Sequence, residues 1–161
     1  MRDFNSRGPN VLRRMETGSK LVYSGFLLFA VAGVVSAALL HGDGLGTDAA
    51  TAAAYWRGDE AAGVYAKSYR QLLELTHFHL FTEPITWLVV AHLFALGGGA
   101  RALRAAVIVG TLVCMAVQIA LPWLVTYVGP GFATLLIPTH LGVGLGILGM
   151  AAVSLRDLWS S

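Results

Sequence analysis

Apolar residues fall into four long runs, and each run is long enough to cross a lipid bilayer. The runs cover residues 21–40, 71–96, 105–127 and 132–155. A spanning helix needs about 20 predominantly apolar residues, and glycine-rich turns separate the later runs. The pattern predicts an all-α membrane protein, built as an antiparallel bundle of four transmembrane helices.

Composition supports a membrane protein and excludes nucleic acid as a partner. Of the 161 residues, 56% are hydrophobic and 12% are charged, whereas soluble domains average about 45–50% and about 25%. The net charge of +2 is spread over the termini and connections, so no basic patch for nucleic acid is predicted. Cys114 is the single cysteine, so an intrachain disulfide is excluded.

Two polar stretches flank the first run and orient the chain. Residues 1–20 are predicted to form a tail, and residues 21–161 a single transmembrane domain with a long loop at 41–70. Lys and Arg are more frequent in the tail, the 97–104 connection and the C-terminus than in that loop. By the positive-inside rule, both termini are cytoplasmic and the loop is extracytoplasmic, as in a bacterial-type inner (cytoplasmic) membrane. His41, at the water boundary, is expected to be solvated.

Histidine side chains inside the runs are the strongest candidates for chemistry, because ionisable groups at membrane depth are costly unless they bind or react. His77 and His79 lie near the start of the second run, and His140 lies near the start of the fourth. At about 1.5 Å per residue, these positions share a level in the outer half of the bilayer. Gln118 in the third run reaches a similar depth, whereas His92 lies nearer the opposite surface.

The paired histidines of the second run cannot serve one site in a regular helix. At about 100° per residue, His77 and His79 point to nearly opposite faces. One is therefore expected to face the bundle interior, and the other a second site, the lipid or a partner. We favour His79 as the interior ligand because it shares a stripe with Thr76 and Glu83; His77 is the alternative.

Two imidazoles from different helices at one depth are what an axially ligated b-type haem requires. We predict that His79 and His140 hold the haem iron, and that Glu83 fixes the orientation of an imidazole. Gly144, one turn after His140, would leave room for the macrocycle. Gln118 is a candidate contact for a quinone head group. On another face of the fourth run, three small residues predict close helix packing: Gly142, Gly146 and Gly149.

Through His77-x-His79, His92 and His140, the chain resembles the small four-helix b-type cytochromes that anchor respiratory redox complexes and exchange electrons with quinone. The resemblance implies an electron-transfer subunit, either non-catalytic or quinol-oxidising or quinone-reducing. It also implies partner subunits in a membrane redox complex, with a periplasmic cytochrome c among the candidates. Di-haem members carry two histidines on each of two helices, but the fourth run offers only His140. We therefore expect one haem b, with a second site near His92 as the alternative.

Two other interpretations of the same residues stay open. Histidine and Glu83 side chains are also ligands for copper or zinc, which would make the protein an enzyme or a metal-handling protein. Alternatively, the histidines only hydrogen-bond or handle protons, and the chain is a non-redox scaffold subunit of a membrane complex. An absorption spectrum separates the first interpretation from haem.

Overall fold

The computed structural model describes residues 11–44, 46 and 48–160, so the first half of the predicted N-terminal tail lies outside the described residues. Four of its helices are long and apolar enough to cross a membrane, which confirms the all-α transmembrane fold. The main helices are α1 (Thr17–Gly44), α2 (Ala49–Arg57), α3 (Tyr69–Leu96), α4 (Arg101–Trp123) and α5 (Leu136–Trp159). A π turn, Leu124–Val128, extends α4, and a 3-10 helix, Pro130–Leu135, leads into α5.

Side-chain caps start the helices of the long loop. The Asp48 carboxylate accepts from the amides of Ala50 and Thr51, both at 2.9 Å, and thereby begins α2. Ser68 and Gln71 form a reciprocal capping box at the start of α3, which satisfies amides that have no partner within the helix. The loop therefore enters the bundle at a fixed point.

α5 is the central helix of the bundle, since it packs against α1, α3 and α4. Small residues allow the approach to α4: a Cβ added at Gly142 would lie 2.6 Å from Cys114 Sγ, and one at Gly146 would collide with Thr111. The predicted seam is thus confirmed at these two positions. A Cβ added at Gly149 would meet no described atom within 4 Å. The prediction that Gly149 belongs to this seam was therefore wrong.

The apolar core spans the helices and leaves large outer faces uncovered. Ten buried residues form its larger cluster: Leu12, Leu27, Val90, Ala91, Leu93, Phe94, Ile147, Met150, Ala151 and Leu158. Leu28, Phe29 and Leu40 of α1 are exposed, as are Phe78 and Leu88 of α3. Apolar side chains that cover the outside of such helices contact lipid, so the protein is an integral multi-pass membrane protein.

Polar contacts close the two ends of the bundle. At the end that carries α2, which we call the loop end, Arg57 donates from Nη1 to the carbonyls of Val125 and Thr126 at 2.9 and 3.0 Å. The opposite end carries Gly97, Gly98 and Gly99, and we call it the glycine end. There the buried Arg104 and Asp157 side chains pair at 3.4 Å. Both contacts join segments far apart in sequence.

Candidate functional site

The two neighbouring histidines of α3 lie on different surfaces of the bundle. His79 is partly buried, and its side chain contacts α4 through Glu83 and Gln118. His77 is exposed and lies beside Phe81, with ring centroids 5.0 Å apart. The 100° helical step accounts for this separation, so His79 is the interior histidine of the pair.

A short polar chain runs from His79 across to α4. His79 Nδ1 donates to Glu83 Oε1 at 2.6 Å, and Gln118 Nε2 donates to the same oxygen at 2.7 Å. The remaining oxygens, Glu83 Oε2 and Gln118 Oε1, are buried and have no hydrogen-bond partner in the described part of the chain. Unpaired buried acceptors are costly, so this chain is poised to receive a hydrogen-bond donor.

His140 of α5 lies next to a third imidazole. Its Nδ1 donates to the Leu136 carbonyl at 2.6 Å, and its ring centroid is 4.2 Å from that of His41 on α1. His41 Nδ1 donates in the same way to the Ala37 carbonyl at 2.7 Å. Histidines of α1 and α5 therefore lie side by side in the bundle.

All three rings share one hydrogen-bonding arrangement. Each uses Nδ1 for a carbonyl or carboxylate oxygen, and no described residue donates to the Nε2 lone pair of the neutral imidazole. Metal-bound histidines show the same pattern, because an acceptor on one nitrogen fixes the ring and its tautomer. Over the residues that the structure describes, no group of three or more His, Cys, Asp or Glu side chains is arranged to hold a metal ion.

Other residues predicted for the site have different neighbours. A Cβ at Gly144 would lie 3.5 Å from Val34 Cγ1, an ordinary van der Waals contact, so Gly144 faces α1. Thr76 accepts from Trp123 Nε1 at 2.7 Å and so joins α3 to α4. His92 is exposed on α3. A role for these residues at a cofactor stays a prediction.

His41 was missed as a site residue because the sequence pattern ended the first span at Leu40. The helix continues to Gly44, which places His41 inside it and against His140. Gly42 and Gly44 are poor helix formers and suggested a stop.

Comparison with known proteins gives a family for most of the chain. Residues 46–161 match the Aq_1264_TM family, described as a transmembrane helical domain. This range includes α2 to α5, with His79 and His140, and begins after α1 and His41. Neither a curated protein nor a solved structure matches the chain. Because the matched range is well over half of the sequence, the chain belongs to the Aq_1264_TM family of transmembrane helical domains.

Proposed function

We propose that the protein is a membrane electron-transfer subunit that binds haem b between α3 and α5. His79 and His140 would hold the haem iron, and the subunit would link a quinone pool to a partner redox protein in a bacterial inner membrane. The observation that carries this proposal is the state of the two rings: each holds its Nδ1 in a hydrogen bond and keeps Nε2 free.

The donor set fits a haem iron. A b-type haem of the bis-histidine kind takes one neutral imidazole from each side, and α3 and α5 are packed neighbours that each supply one. The contact between His140 and His41 involves the two rings and no hydrogen bond, so it leaves His140 Nε2 available. His77, on the exposed side of α3, is the weaker choice of ligand.

The protein's own residues orient the ligands. Haem b supplies one-electron transfer when bound. Glu83 holds the His79 ring in one tautomer, and Gln118 holds Glu83 from α4. The Leu136 carbonyl does the same for His140. α3, α4 and α5 therefore hold the two imidazoles in place. Few other polar groups in the bilayer compete for their hydrogen bonds.

The unpaired acceptors beside His79 suit a quinol. Glu83 Oε2 and Gln118 Oε1 both accept hydrogen bonds and lack a donor among the described residues. A quinol hydroxyl is a donor, whereas a quinone carbonyl is only an acceptor. We therefore place quinol, the reduced form, as the preferred small-molecule ligand at these two oxygens.

A reduced-minus-oxidised absorption spectrum of the purified protein tests the proposal. We expect a b-type haem spectrum that is lost in His79→Ala and in His140→Ala and kept in the matched control His77→Ala. All three variants should still insert, because the apolar helix faces are unchanged. Haem retained in full by either of the first two variants would contradict the ligand assignment.

The contact between His41 and His140 favours copper or zinc as a second candidate. The two ring centroids are 4.2 Å apart, and imidazole nitrogen is a preferred ligand of both metals. In that case the wild-type protein would contain stoichiometric metal, measured by elemental analysis, and would show no haem spectrum. His41→Ala would lose that metal. A protein with neither haem nor metal would be left with a scaffold role.

A further inference from the structure

A small pocket opens at the loop end, and no histidine lines it. It has a volume of about 210 Å³ and lies where α2, the residues before α3 and the first turns of α3 meet. Five residues line it: Tyr55, Trp56, Lys67, Gln71 and Leu75. Pockets for whole drug-sized ligands occupy about 300–1,000 Å³, so this one suits a head group rather than a complete small molecule.

The free polar groups of the lining are donors. Gln71 Oε1 already accepts from the Ser68 amide at 2.8 Å, so its NH₂ group is the free end. Trp56 is buried, and its indole N–H has no hydrogen-bond partner among the described residues. Lys67 Nζ lies 4.2 Å from the centre of the Tyr55 ring. The pocket therefore presents one cation, Lys67, and one neutral donor, the Gln71 amide.

Two carboxylates near the pocket in sequence, Glu74 and Asp59, are occupied elsewhere. Glu74 pairs with Arg70 at 2.8 Å, and Asp59 accepts from the amides of Ala61 and Ala62. Lys67 has no carboxylate partner in the described part of the chain, and its backbone amide donates to the Trp56 carbonyl. An unneutralised ammonium beside donors selects an anionic acceptor.

The pocket lies at the level of the lipid head groups. Tyr69, Trp123 and Tyr127 cluster at the same end, with ring centroids 5.5 and 5.9 Å apart, and aromatic residues concentrate at the membrane interface. Leu75 lies one turn further into the bilayer than Gln71 and gives the pocket an apolar wall. The chemistry at this level that combines an anionic acceptor with an apolar tail is a phospholipid.

We propose that this pocket binds the phosphodiester head group of a membrane phospholipid, with Lys67 as the charged contact and Gln71 as a neutral donor. The acyl chains leave past Leu75 into the bilayer. This site is separate from the histidines, and it does not depend on the presence of haem. A bound lipid would hold the α2 segment against the start of α3.

Native mass spectrometry of the purified full chain in detergent, with added phosphatidylglycerol, tests the proposal. We expect the wild type to retain one lipid and Lys67→Gln to retain it about fivefold more weakly. Lys67→Arg should keep the lipid, because it keeps the charge. The matched control is Arg70→Gln, which removes an equal charge from a side chain that is 87% exposed and already paired with Glu74.

Two further measurements identify the ligand. Diacylglycerol with the same chains lacks the phosphate and should not be retained. Inorganic phosphate, added as a competitor, should not displace the lipid; displacement at equal concentration would overturn the lipid as occupant in favour of free phosphate. Equal losses in Lys67→Gln and Arg70→Gln would contradict the pocket altogether. A thermal unfolding curve for each variant separates lost binding from lost folding.

Discussion

At the scale of single residues, Asp48 shows how one carboxylate organises the surface of the bundle. Hydrogen bonds from the Thr51 amide and hydroxyl, the latter at 2.7 Å, hold the pKa of the Asp48 carboxyl below its usual range. A lowered pKa means that the folded state favours the ionised form. The cap is therefore fully effective above the carboxyl's ordinary pKa and is lost as the pH falls through its lowered value.

Replacing Thr51 should move that pKa. In Thr51→Ala the hydroxyl donor is gone and the amide donor remains, so the Asp48 pKa should rise part of the way to its usual range. Thr51→Ser keeps the hydroxyl and should leave the pKa where it is. Carboxyl carbon shifts measured by NMR over a pH titration check both, and an unchanged pKa in Thr51→Ala would rule out the hydroxyl as a cause.

Residue-scale prediction from sequence succeeded where the geometry was local. The opposite facing of His77 and His79 follows from the helical step alone, and the structure shows it. The partner of His41 did not follow, because the two rings lie on helices at opposite ends of the sequence. A single sequence does not reveal which helices are neighbours, because the four spanning helices can be arranged around the bundle in several orders.

At the scale of helices, the contact between α4 and α5 depends on small residues at two successive turns. Gly146→Ala should destabilise the bundle by about 1–3 kcal/mol, because its methyl group would overlap the branched Thr111 side chain. Gly149→Ala, where nothing lies within 4 Å, is the control and should be close to neutral. Thermal unfolding in detergent measures both, and equal effects would contradict the seam.

The glycine end depends on a buried ion pair that the sequence pattern did not reveal. Asp157 accepts from the Gly98 amide at 3.2 Å and pairs with Arg104, which also donates to the Phe94 carbonyl. The partners are 53 positions apart, and each residue alone resembles an ordinary charge at a helix end. Their pairing fixes the α3–α4 connection against the last turns of α5.

Removing one charge of this pair should destabilise the fold more than replacing both residues with apolar ones. Asp157→Asn leaves the Arg104 guanidinium buried without a counter-charge, and we expect a loss of about 3–5 kcal/mol. The double variant Arg104→Met with Asp157→Leu removes both charges and should recover most of that loss. Arg156→Gln, which removes the exposed second partner of Asp157, is the control. Chemical unfolding in mixed micelles compares the four proteins.

At the scale of the whole molecule, orientation decides which compartment faces each site. We predict that a cysteine at Ala61, in a Cys114→Ser background, reacts with an impermeant maleimide added to intact cells. A cysteine at Ser160 should react only after the cells are opened. The reverse pattern would place the loop end in the cytoplasm and would contradict the orientation predicted by the positive-inside rule.

The position of α1 has a consequence for biosynthesis. α1 packs mainly against α5, yet these are the first and last of the long helices to leave the ribosome. A membrane helix inserts on its own and then associates with its neighbours. α1 therefore remains in the lipid without its main partner until α5 has been translated and inserted. Until α5 is present, the face of α1 that packs against α5, including His41, is accessible to quality-control proteases. Ribosomes stalled before α5 should therefore accumulate nascent chains that are cleaved in α1, and release from the stall should end that cleavage.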